Sequence, residues 1–350
     1  MTARPGYSRS SAGCESGRMS YFRGIDHIRG FLILMVVLGH TLQGPLSENM
    51  ARYAIYSFHM PLFLAINGYL LKSDTLYSLR LGELLVKYCR RMLLPFMVAF
   101  VVYFMIVNAG RLPDLSMGEI AFQLLYPAYH LWYIPALMLM ILAVYLFNSV
   151  GIKAGVPLVI AFFASLVWFY FFPDNLSLNS PIPGNRALSL MGDKRVYVYF
   201  CFFYLGFYLR NHTGRSGIFN RTLPKAGLFG AGILLILGFY SPPSPLRQFV
   251  FLLFNALLII FFHERMSNRP FGAGGRFLEI FGKNPLPFYL WHALPVFLFN
   301  RAIFKDVHVF YLSIVAFLVV MVIIDRVFLE NAWYKIFFSG ASKRHAGGGI

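Results

Sequence analysis

Apolar segments of about 20 residues recur along this chain from residue 30 to residue 338, with no polar interval long enough for a soluble domain. Hydrophobic residues make up 58% of the 350 residues, and charged residues make up only 13%. Soluble domains carry about 25% charged residues, and about 20 consecutive apolar residues suffice for a helix to cross a bilayer. The sequence therefore predicts an all-α integral membrane protein.

A hydropathy window of about 20 residues predicts ten transmembrane helices. They lie at 28–46, 51–71, 92–109, 130–149, 155–172, 196–210, 226–241, 247–263, 284–304 and 309–329. We assign them to a single polytopic membrane domain over residues 21–338, followed by a short cytoplasmic tail over 339–350. Residues 1–20 are rich in Ser, Gly and Arg and lack the apolar core of a signal peptide, so they are predicted to be a disordered cytoplasmic tail.

The distribution of positive charge predicts the orientation of these helices. With the N-terminus on the cytoplasmic side, 23 of the 31 Lys and Arg residues fall in the inner segments and 8 in the outer segments. This inner excess predicts that both termini are cytoplasmic. The net charge of +17 is then explained by topology and by contact with anionic lipid headgroups, and no nucleic-acid partner is expected. The longest outer loop, 173–195, is either an acceptor-binding lid or a passive connector.

The first predicted helix carries two polar residues on one face. Asp26-His27-Ile28-Arg29-Gly30 leads into an apolar run that ends in Gly39-His40. The eleven residues from Arg29 to His40 correspond to about three helical turns plus 20°, so both side chains face the same way, roughly 16 Å apart. Charged or polar groups inside a membrane are functional candidates because burying them there is unfavourable. The predicted orientation places Arg29 at the inner membrane edge and His40 near mid-depth.

Two further histidines are predicted at a similar depth. His59 lies in Ser57-Phe58-His59-Met60-Pro61, and His292 lies in Tyr289-Leu290-Trp291-His292. Each imidazole either hydrogen-bonds a backbone carbonyl or belongs to a site with His40. No His or carboxylate pair has the i, i+3 or i, i+4 spacing of helical metal ligands, so no metal is expected. No serine lies on a recognisable nucleophile turn, whereas a desolvated neutral histidine can act as a general base towards an alcohol.

Cationic residues at the inner membrane edge have two interpretations. In the first, Arg29 forms a salt bridge with Asp26 at the start of the helix, and Lys87, Arg90 and Arg91 enforce topology. In the second, both groups bind the phosphates of an anionic cosubstrate that arrives from the cytoplasm.

Two motifs make the chain similar to the acyltransferase-3 family of membrane acyltransferases, in its short form without an attached periplasmic hydrolase-like domain. The first motif is Asp26-x-x-Arg29-Gly30 followed by His40, and the second is Phe58-His59-Met60-Pro61-Leu62-Phe63 followed by Gly68-Tyr69. Weaker support comes from Leu131-Trp132-Tyr133-Ile134-Pro135-Ala136-Leu137 and from Gly282-Lys283-Asn284 with Tyr289-Leu290-x-His292. The chain most resembles the fucose 4-O-acetylase-like and enterobacterial-common-antigen O-acetyltransferase branch.

The resemblance implies transfer of an acyl group, usually acetyl, from cytoplasmic acyl-CoA to a hydroxyl of a cell-surface or lipid-linked glycan. The location would be the bacterial cytoplasmic (inner) membrane, with acetyl-CoA or another acyl-CoA as cosubstrate and no bound cofactor. The resemblance also implies that His40 is the essential catalytic histidine and Arg29 its essential partner. The family's pair of arginines three residues apart corresponds to Lys87 and Arg90, and a lysine lacks the bidentate fork of arginine. Asn67 stands where the family usually has serine.

The combined hypothesis gives each candidate residue a role. His40 deprotonates or positions a sugar hydroxyl for attack on an acyl thioester. The residues expected to hold the CoA phosphates are Arg29, Lys87, Arg90 and Arg91. The residues expected to line the substrate pocket are Asp26, His59, Trp132 and His292.

Two other functions are compatible with the sequence. A glycolipid or polysaccharide flippase or transporter would use the histidines as substrate or proton sites, but the sequence shows no pair of discontinuous helices of the kind that many transporters contain. A scaffold subunit of a glycan-synthesis complex would need neither Arg29 nor His40. No oligomeric state is predicted.

Overall fold

The computed structural model describes residues 23–42, 44–127, 130–171, 195–212, 222–242, 244–265, 274–299, 307–328 and 330–340. All regular structure in these ranges is helical. The tail predicted at 1–20 lies outside the described residues, as does the tail predicted at 339–350 apart from Ser339 and Gly340. Of the outer loop predicted at 173–195, only Arg195 is described.

The helices are numbered in chain order. The α-helices are α1 Arg23–Thr41, α2 Met50–Tyr56, α3 His59–Leu70, α4 Ser73–Tyr77, α5 Leu81–Tyr88, α6 Leu94–Asn108, α7 Met117–Leu125, α8 Tyr133–Ser149, α9 Gly155–Phe171, α10 Arg195–His212, α11 Thr222–Leu237, α12 Pro245–Arg265, α13 Gly275–Gly282, α14 Pro285–Trp291, α15 Leu294–Phe299, α16 Val307–Phe328 and α17 Ala332–Tyr334. Shorter turns are π-helical at Cys89–Leu93 and Lys335–Ser339 and 3-10 helical at Leu112–Asp114 and Gly238–Tyr240. Within the described ranges, five continuous helical stretches are long and apolar enough to cross a membrane: Arg23–Thr41, Leu81–Asn108, Thr222–Tyr240, Pro245–His263 and His308–Phe328.

Each of the ten predicted membrane segments overlaps one helix or two consecutive helices. The third segment, predicted at 92–109, is the end of a continuous helix over Leu81–Asn108. The first helix covers Arg23–Thr41 rather than 28–46, so His40 lies in its last turn and not partway along it. The earlier start of α1 is favourable because Asp26 lies in its first turn, where the helix dipole stabilises a negative charge.

Two of the predicted segments are interrupted. Segment 51–71 consists of α2 and α3, which are separated at Ser57–Phe58, and segment 284–304 contains α14 and α15, which are separated at His292–Ala293. The prediction that no pair of discontinuous helices is present is therefore wrong. A proline follows each interruption in the sequence. Pro61 has no N–H group to bond the Ser57 carbonyl, and Pro295 has none to bond the Trp291 carbonyl, so the helical hydrogen-bond pattern is broken at these points.

Glycines allow two pairs of helices to pack backbone against backbone. A Cβ atom on Gly282 of α13 would lie 1.7 Å from the carbonyl oxygen of Asp26 in α1, and one on Gly30 would lie 2.0 Å from the carbonyl oxygen of Leu278. Between α3 and α10, a Cβ atom on Gly206 would lie 1.9 Å from the carbonyl oxygen of Ala65. Such small residues are typical of membrane helix contacts. The contacts of Gly30 and Gly282 fix the first turns of α1 against α13.

The outermost helices expose large apolar side chains. Leu223 and Phe229 of α11 are 82% and 72% exposed, and Leu312 of α16 is 69% exposed. Extended apolar surfaces of this kind are rare on soluble monomers but are suited to lipid contact. The buried core, which includes Phe203 of α10 and Phe288 of α14, lies farther inside the bundle. This distribution agrees with a membrane protein.

Candidate functional site

Three imidazoles from separate parts of the chain meet at the end of α1. The ring centroids of His40 and His292 are 5.2 Å apart. The His130 centroid lies 4.7 Å from that of His292 and 6.2 Å from that of His40. His130 and His292 are buried, whereas His40 is partly exposed. We call these three residues the histidine cluster.

The helix interruptions orient two histidines through backbone carbonyls. His292 follows the end of α14 and donates its Nδ1 hydrogen to the Tyr289 carbonyl at 2.7 Å. His59 begins α3 and donates its Nδ1 hydrogen to the Ile55 carbonyl, also at 2.7 Å. Because a carbonyl only accepts, each neutral ring keeps its lone pair on Nε2. The buried Nε2 atom of His292 has no hydrogen-bond partner among the described residues.

His130, which the sequence analysis missed, is oriented by the interruption after α14. The Leu290 carbonyl accepts hydrogen bonds from His130 Nε2 at 2.9 Å and from the Tyr103 hydroxyl at 3.1 Å. The Tyr289 hydroxyl donates to the His130 carbonyl. The position of His130 in the sequence could have identified it, because it is the first residue of the segment predicted at 130–149 and directly precedes the motif Leu131-Trp132-Tyr133.

Tyr56 and Arg52 of α2 complete the site around His40. The Tyr56 hydroxyl lies 3.1 Å from His40 Nδ1. The Arg52 guanidinium carbon lies 5.4 Å from the Tyr56 ring centroid and close enough to His40 to act on its charge. Gly39 makes this approach possible, because a Cβ atom there would lie 2.9 Å from the Tyr56 ring. Neither residue was predicted from the sequence, since Arg and Tyr near a membrane edge are usually interfacial anchors.

Arg29 lies near the opposite end of the same continuous helix. Its Nη1 atom is 3.3 Å from Asp26 Oδ1, and its buried Nε atom has no hydrogen-bond partner within the described part of the chain. Asp26 is buried against α13, whereas Arg29 is partly exposed. Asp26 was predicted to line the substrate pocket, but the structure places it beside Arg29 and not beside the histidine cluster.

The cationic residues at the end of α5 are placed unequally. Both Arg90 and Arg91 are exposed, but Arg91 is close enough to Arg29 and Lys87 to repel their charges. Lys87 and Arg91 are four residues apart, a spacing that places both on one face of a helix, and the π-helical turn at Cys89–Leu93 begins between them. We call Arg29, Lys87 and Arg91 the inner cationic group.

Aromatic and amide side chains lie between the inner cationic group and the histidine cluster. The Asn67 side chain donates to the Tyr133 hydroxyl at 2.7 Å. The Tyr133 ring lies 5.0 Å from the Tyr289 ring, and Tyr289 lies 5.6 Å from the His130 ring. Tyr133 is also close enough to Arg29 to interact with its charge. Polar side chains therefore connect the two ends of the site along α1.

Trp132 lies beside the histidine cluster rather than within it. Its ring is 4.1 Å from the guanidinium carbon of Arg195 and stacks on Tyr199 at 5.9 Å. Arg195 in turn is close enough to Tyr289 to act on its charge. Trp132 therefore orients Arg195 at the edge of the site.

The arrangement is suited to proton transfer from a hydroxyl group. Imidazoles in a largely buried site stay neutral, and a neutral ring can accept a proton at its free lone pair. Despite the close imidazoles, the described ranges contain no group of three or more His, Cys, Asp or Glu side chains that could hold a metal ion.

Comparison with known proteins identifies the family. A family model described as an acyltransferase domain matches residues 22–326. Nodulation protein NolL of Sinorhizobium fredii is 44% identical over 64 residues, which cover 16% of this chain and 18% of that protein. Nodulation protein NolL of Mesorhizobium japonicum is 34% identical over 70 residues, which cover 18% of this chain and 19% of that protein.

The chain thus spans less than a fifth of the length of these curated relatives, and no solved structure matches it. The family match, in contrast, extends over most of the chain. It contains the histidine cluster and the inner cationic group, and the chain therefore belongs to this family of acyltransferases.

Proposed function

We propose that this chain is a membrane O-acyltransferase that moves an acyl group, expected to be acetyl, from cytoplasmic acyl-CoA to a hydroxyl of a cell-surface or lipid-linked glycan. The observation that carries the proposal is α1, which joins a cationic group at one end to a histidine cluster at the other. Transfer from acyl-CoA needs a site that binds the phosphates of the donor and a base beside the hydroxyl of the acceptor. The roughly 16 Å between Arg29 and His40 separates these two tasks.

In the proposed topology, ten helices cross the bacterial cytoplasmic membrane and both termini are cytoplasmic. The excess of inner Lys and Arg residues, 23 against 8, supports this orientation. It directs the inner cationic group towards cytoplasmic acyl-CoA and the histidine cluster towards the outer leaflet. Because α1 ends at Thr41, we place His40 in the outer half of the membrane rather than at mid-depth.

The donor side of the proposed site is the inner cationic group. Arg29 is partly exposed, and Arg91 extends the positive charge towards solvent. Arginine forks bind phosphate oxygens in pairs, and Lys87 adds a point charge. The pantetheine arm of the bound acyl-CoA would then follow α1 past Tyr133 and Tyr289 to bring the thioester to His40.

The proposed reaction takes place at the histidine cluster. The acceptor hydroxyl oxygen bonds to the acyl carbon, His40 Nε2 takes the hydroxyl proton, and the carbon–sulfur bond breaks. The proton then passes to the departing thiolate, so that an ester and free CoA are formed. In this state His40 donates its Nδ1 hydrogen to the Tyr56 oxygen 3.1 Å away, which orients the ring.

A glycan acceptor is supported by the motif resemblance to the fucose 4-O-acetylase-like and enterobacterial-common-antigen branch. His59 and His292 would contact the sugar, because both keep Nε2 lone pairs that can accept hydrogen bonds from sugar hydroxyls. Trp132 and Arg195 would form the edge of this pocket.

Replacing His40 tests the proposal most directly. We expect His40→Ala to reduce acetyl transfer from labelled acetyl-CoA to membrane and surface glycans by at least about 100-fold, the lower limit usual for a general base. His308→Ala is the matched control, because His308 is exposed on α16. Both variants must reach the membrane in normal amounts. Wild-type transfer by His40→Ala would show that the proposed role of His40 is wrong.

A glycolipid transporter is the second candidate, and one observation favours it. The two interrupted segments, at Ser57–Phe58 and His292–Ala293, have the discontinuous form that transporters use for substrate sites. The family match favours the acyltransferase. Reconstituted protein supplied with labelled acetyl-CoA and a glycan mixture separates the two, because a transporter leaves no label covalently attached to the glycan.

A further inference from the structure

Arg52 carries a positive charge that no acidic side chain of the described residues balances. One of its terminal nitrogens donates to the Gly44 carbonyl, and its guanidinium lies over the Tyr56 ring. The ion pairs found in the described ranges leave Arg52 without a carboxylate within 4 Å. Its buried Nε atom has no hydrogen-bond partner among the same residues. Arg29, in contrast, is paired with Asp26.

This charge is located beside the reacting groups. Arg52 acts on the charge of His40, and both Arg52 and Arg195 lie close enough to Tyr56 to act on its charge. Two guanidinium groups therefore produce a positive potential at the outer edge of the histidine cluster. Partial burial strengthens such a potential, because less water screens it. The potential disfavours a cationic ligand and attracts an anionic one.

We propose that Arg52 binds an anionic group of the acceptor, a carboxylate or a phosphate, close to the hydroxyl that receives the acyl group. This inference rests on the proposed function. The guanidinium edge that contains Nε is planar and can donate two parallel hydrogen bonds to such an oxyanion. No covalent step is involved.

Tyr56 sets the distance between the reacting hydroxyl and the anionic group. Its hydroxyl is 3.1 Å from His40 Nδ1, and its ring centroid is 5.4 Å from the Arg52 guanidinium carbon. Arg52 is also close enough to His40 to act on its charge, so an oxyanion at Arg52 and a hydroxyl at His40 can belong to the same sugar or to neighbouring sugars. The substrate class is a glycan with a negative charge on the acetylated sugar or on its immediate neighbour.

Two other uses of Arg52 make different predictions. If Arg52 binds an anionic lipid headgroup, its effect depends on the membrane and not on the acceptor. If it stabilises the oxyanion that forms from the thioester, its loss lowers kcat for every acceptor. Binding of a charged acceptor instead raises KM for that acceptor alone.

The experiment compares Arg52→Gln with Arg52→Lys and with Arg247→Gln. Arg247 is the matched control, because its guanidinium also lies over a tyrosine of α2, 5.1 Å from the Tyr53 ring, and it donates to the Ser241 carbonyl. The acceptors are the glycan that the wild-type enzyme acetylates and the same glycan after carboxyl reduction or enzymatic dephosphorylation. Each pair is measured in vesicles of phosphatidylcholine alone and of phosphatidylcholine with phosphatidylglycerol.

We expect Arg52→Gln to raise KM for the charged acceptor by about ten- to 100-fold, as for loss of a hydrogen bond to a charged group. KM for the neutralised acceptor should not change, Arg52→Lys should recover part of the affinity, and Arg247→Gln should resemble wild type. Equal effects on both acceptors, a dependence on phosphatidylglycerol, or a native acceptor without an anionic group would each overturn the proposal. None of these outcomes would affect the acyltransferase function, which fails only if no glycan is acetylated.

Discussion

The two ends of α1 are built by different means. The end that carries Arg29, which we call the inner end after the proposed topology, is organised by charge. Arg29 pairs with Asp26, Arg91 approaches from the π-helical turn, and the contact between α1 and α13 fixes the backbone. The outer end is organised by interrupted helices, whose free backbone carbonyls orient buried imidazoles. The inner end resembles a binding surface for a charged group, and the outer end resembles a rigid site for chemistry.

This difference implies that substitutions at the two ends change different kinetic constants. Loss of a charge at the partly exposed inner end should weaken acyl-CoA binding, because water and neighbouring cations compensate in part. Loss of a buried imidazole from the outer end should slow the chemical step, because these imidazoles orient the reacting groups. If substitutions at both ends change the same kinetic constant, the two ends of α1 do not have these separate roles.

The largest effect in this comparison is expected at His292. Its Nδ1 hydrogen bonds the Tyr289 carbonyl, and its Nε2 lone pair faces the cluster without a partner among the described residues. We expect His292→Asn to lower kcat by about 100-fold, because the amide can keep the backbone hydrogen bond but lacks the Nε2 atom that holds the sugar hydroxyl in position for attack. KM for acetyl-CoA should stay near the wild-type value.

His292→Gln is the matched control for this prediction, because its amide extends to the position of Nε2. It should retain several-fold more activity than His292→Asn. If His292→Asn instead changes KM for acetyl-CoA, or if both variants retain wild-type kcat, the outer end is not the site of chemistry.

A smaller effect is expected at the inner end, where Arg90 and Arg91 form a natural pair for comparison. Arg91 approaches Arg29 and Lys87, whereas no such interaction is found for Arg90 in the described ranges. We expect Arg91→Gln to raise KM for acetyl-CoA by about tenfold, as for loss of one charged phosphate contact, with little change in kcat. Arg90→Gln should have an effect of threefold or less, by the same reasoning.

Steady-state rates in membranes at varied acetyl-CoA concentration test this prediction. A larger effect from Arg90→Gln than from Arg91→Gln would show that the family's three-residue spacing, and not the four-residue spacing of Lys87 and Arg91, defines the phosphate contact. The two ends of α1 would still differ in that case, but Arg90 would replace Arg91 in the inner cationic group.

The two ends also show which residues of the site could be predicted from the sequence. Arg29 and His40 were predictable because helical geometry fixes their common face from their spacing alone. The all-helical fold and its membrane segments were predictable because long apolar runs have few other solutions. His130 and Tyr56 could not be found in this way, since they reach His40 through tertiary contacts between segments far apart in the chain or across a turn.

The interrupted helices were missed for a related reason. Hydropathy measures how apolar a segment is, and apolar residues lie on both sides of each interruption, such as Ile55 and Leu62 around the first and Leu290 and Leu294 around the second. Pro61 and Pro295 were visible, but a proline bends many membrane helices without interrupting them. Only the partners, such as the Asn255 side chain that donates to the Ser57 carbonyl at 2.9 Å, show that the interruptions are stabilised.

The smallest effect is expected from Glu279 of α13, which links the inner end of α1 to its neighbour. Glu279 accepts from Lys283 at 2.8 Å and from His27 at 3.1 Å, and these hydrogen bonds hold its pKa below the usual value of a glutamate. A lowered pKa contributes stability at pH values above the unfolded-state pKa of about 4.3, and this contribution disappears as the pH falls through the folded-state pKa. Glu279→Gln should therefore lower Tm in detergent by about 1–3 °C at pH 7 and by less near pH 4.

The matched control is Glu330→Gln, because Glu330 pairs with Lys335 at 3.0 Å but has a side chain that is 91% exposed. It should leave Tm unchanged at both pH values, since exposed ion pairs contribute little. A change in kcat with Glu279→Gln would contradict the separation of the two ends, because the contact of Glu279 with α1 is at His27, far from the histidine cluster. A change confined to Tm would show that the inner end holds its shape through charge while the outer end carries the reaction.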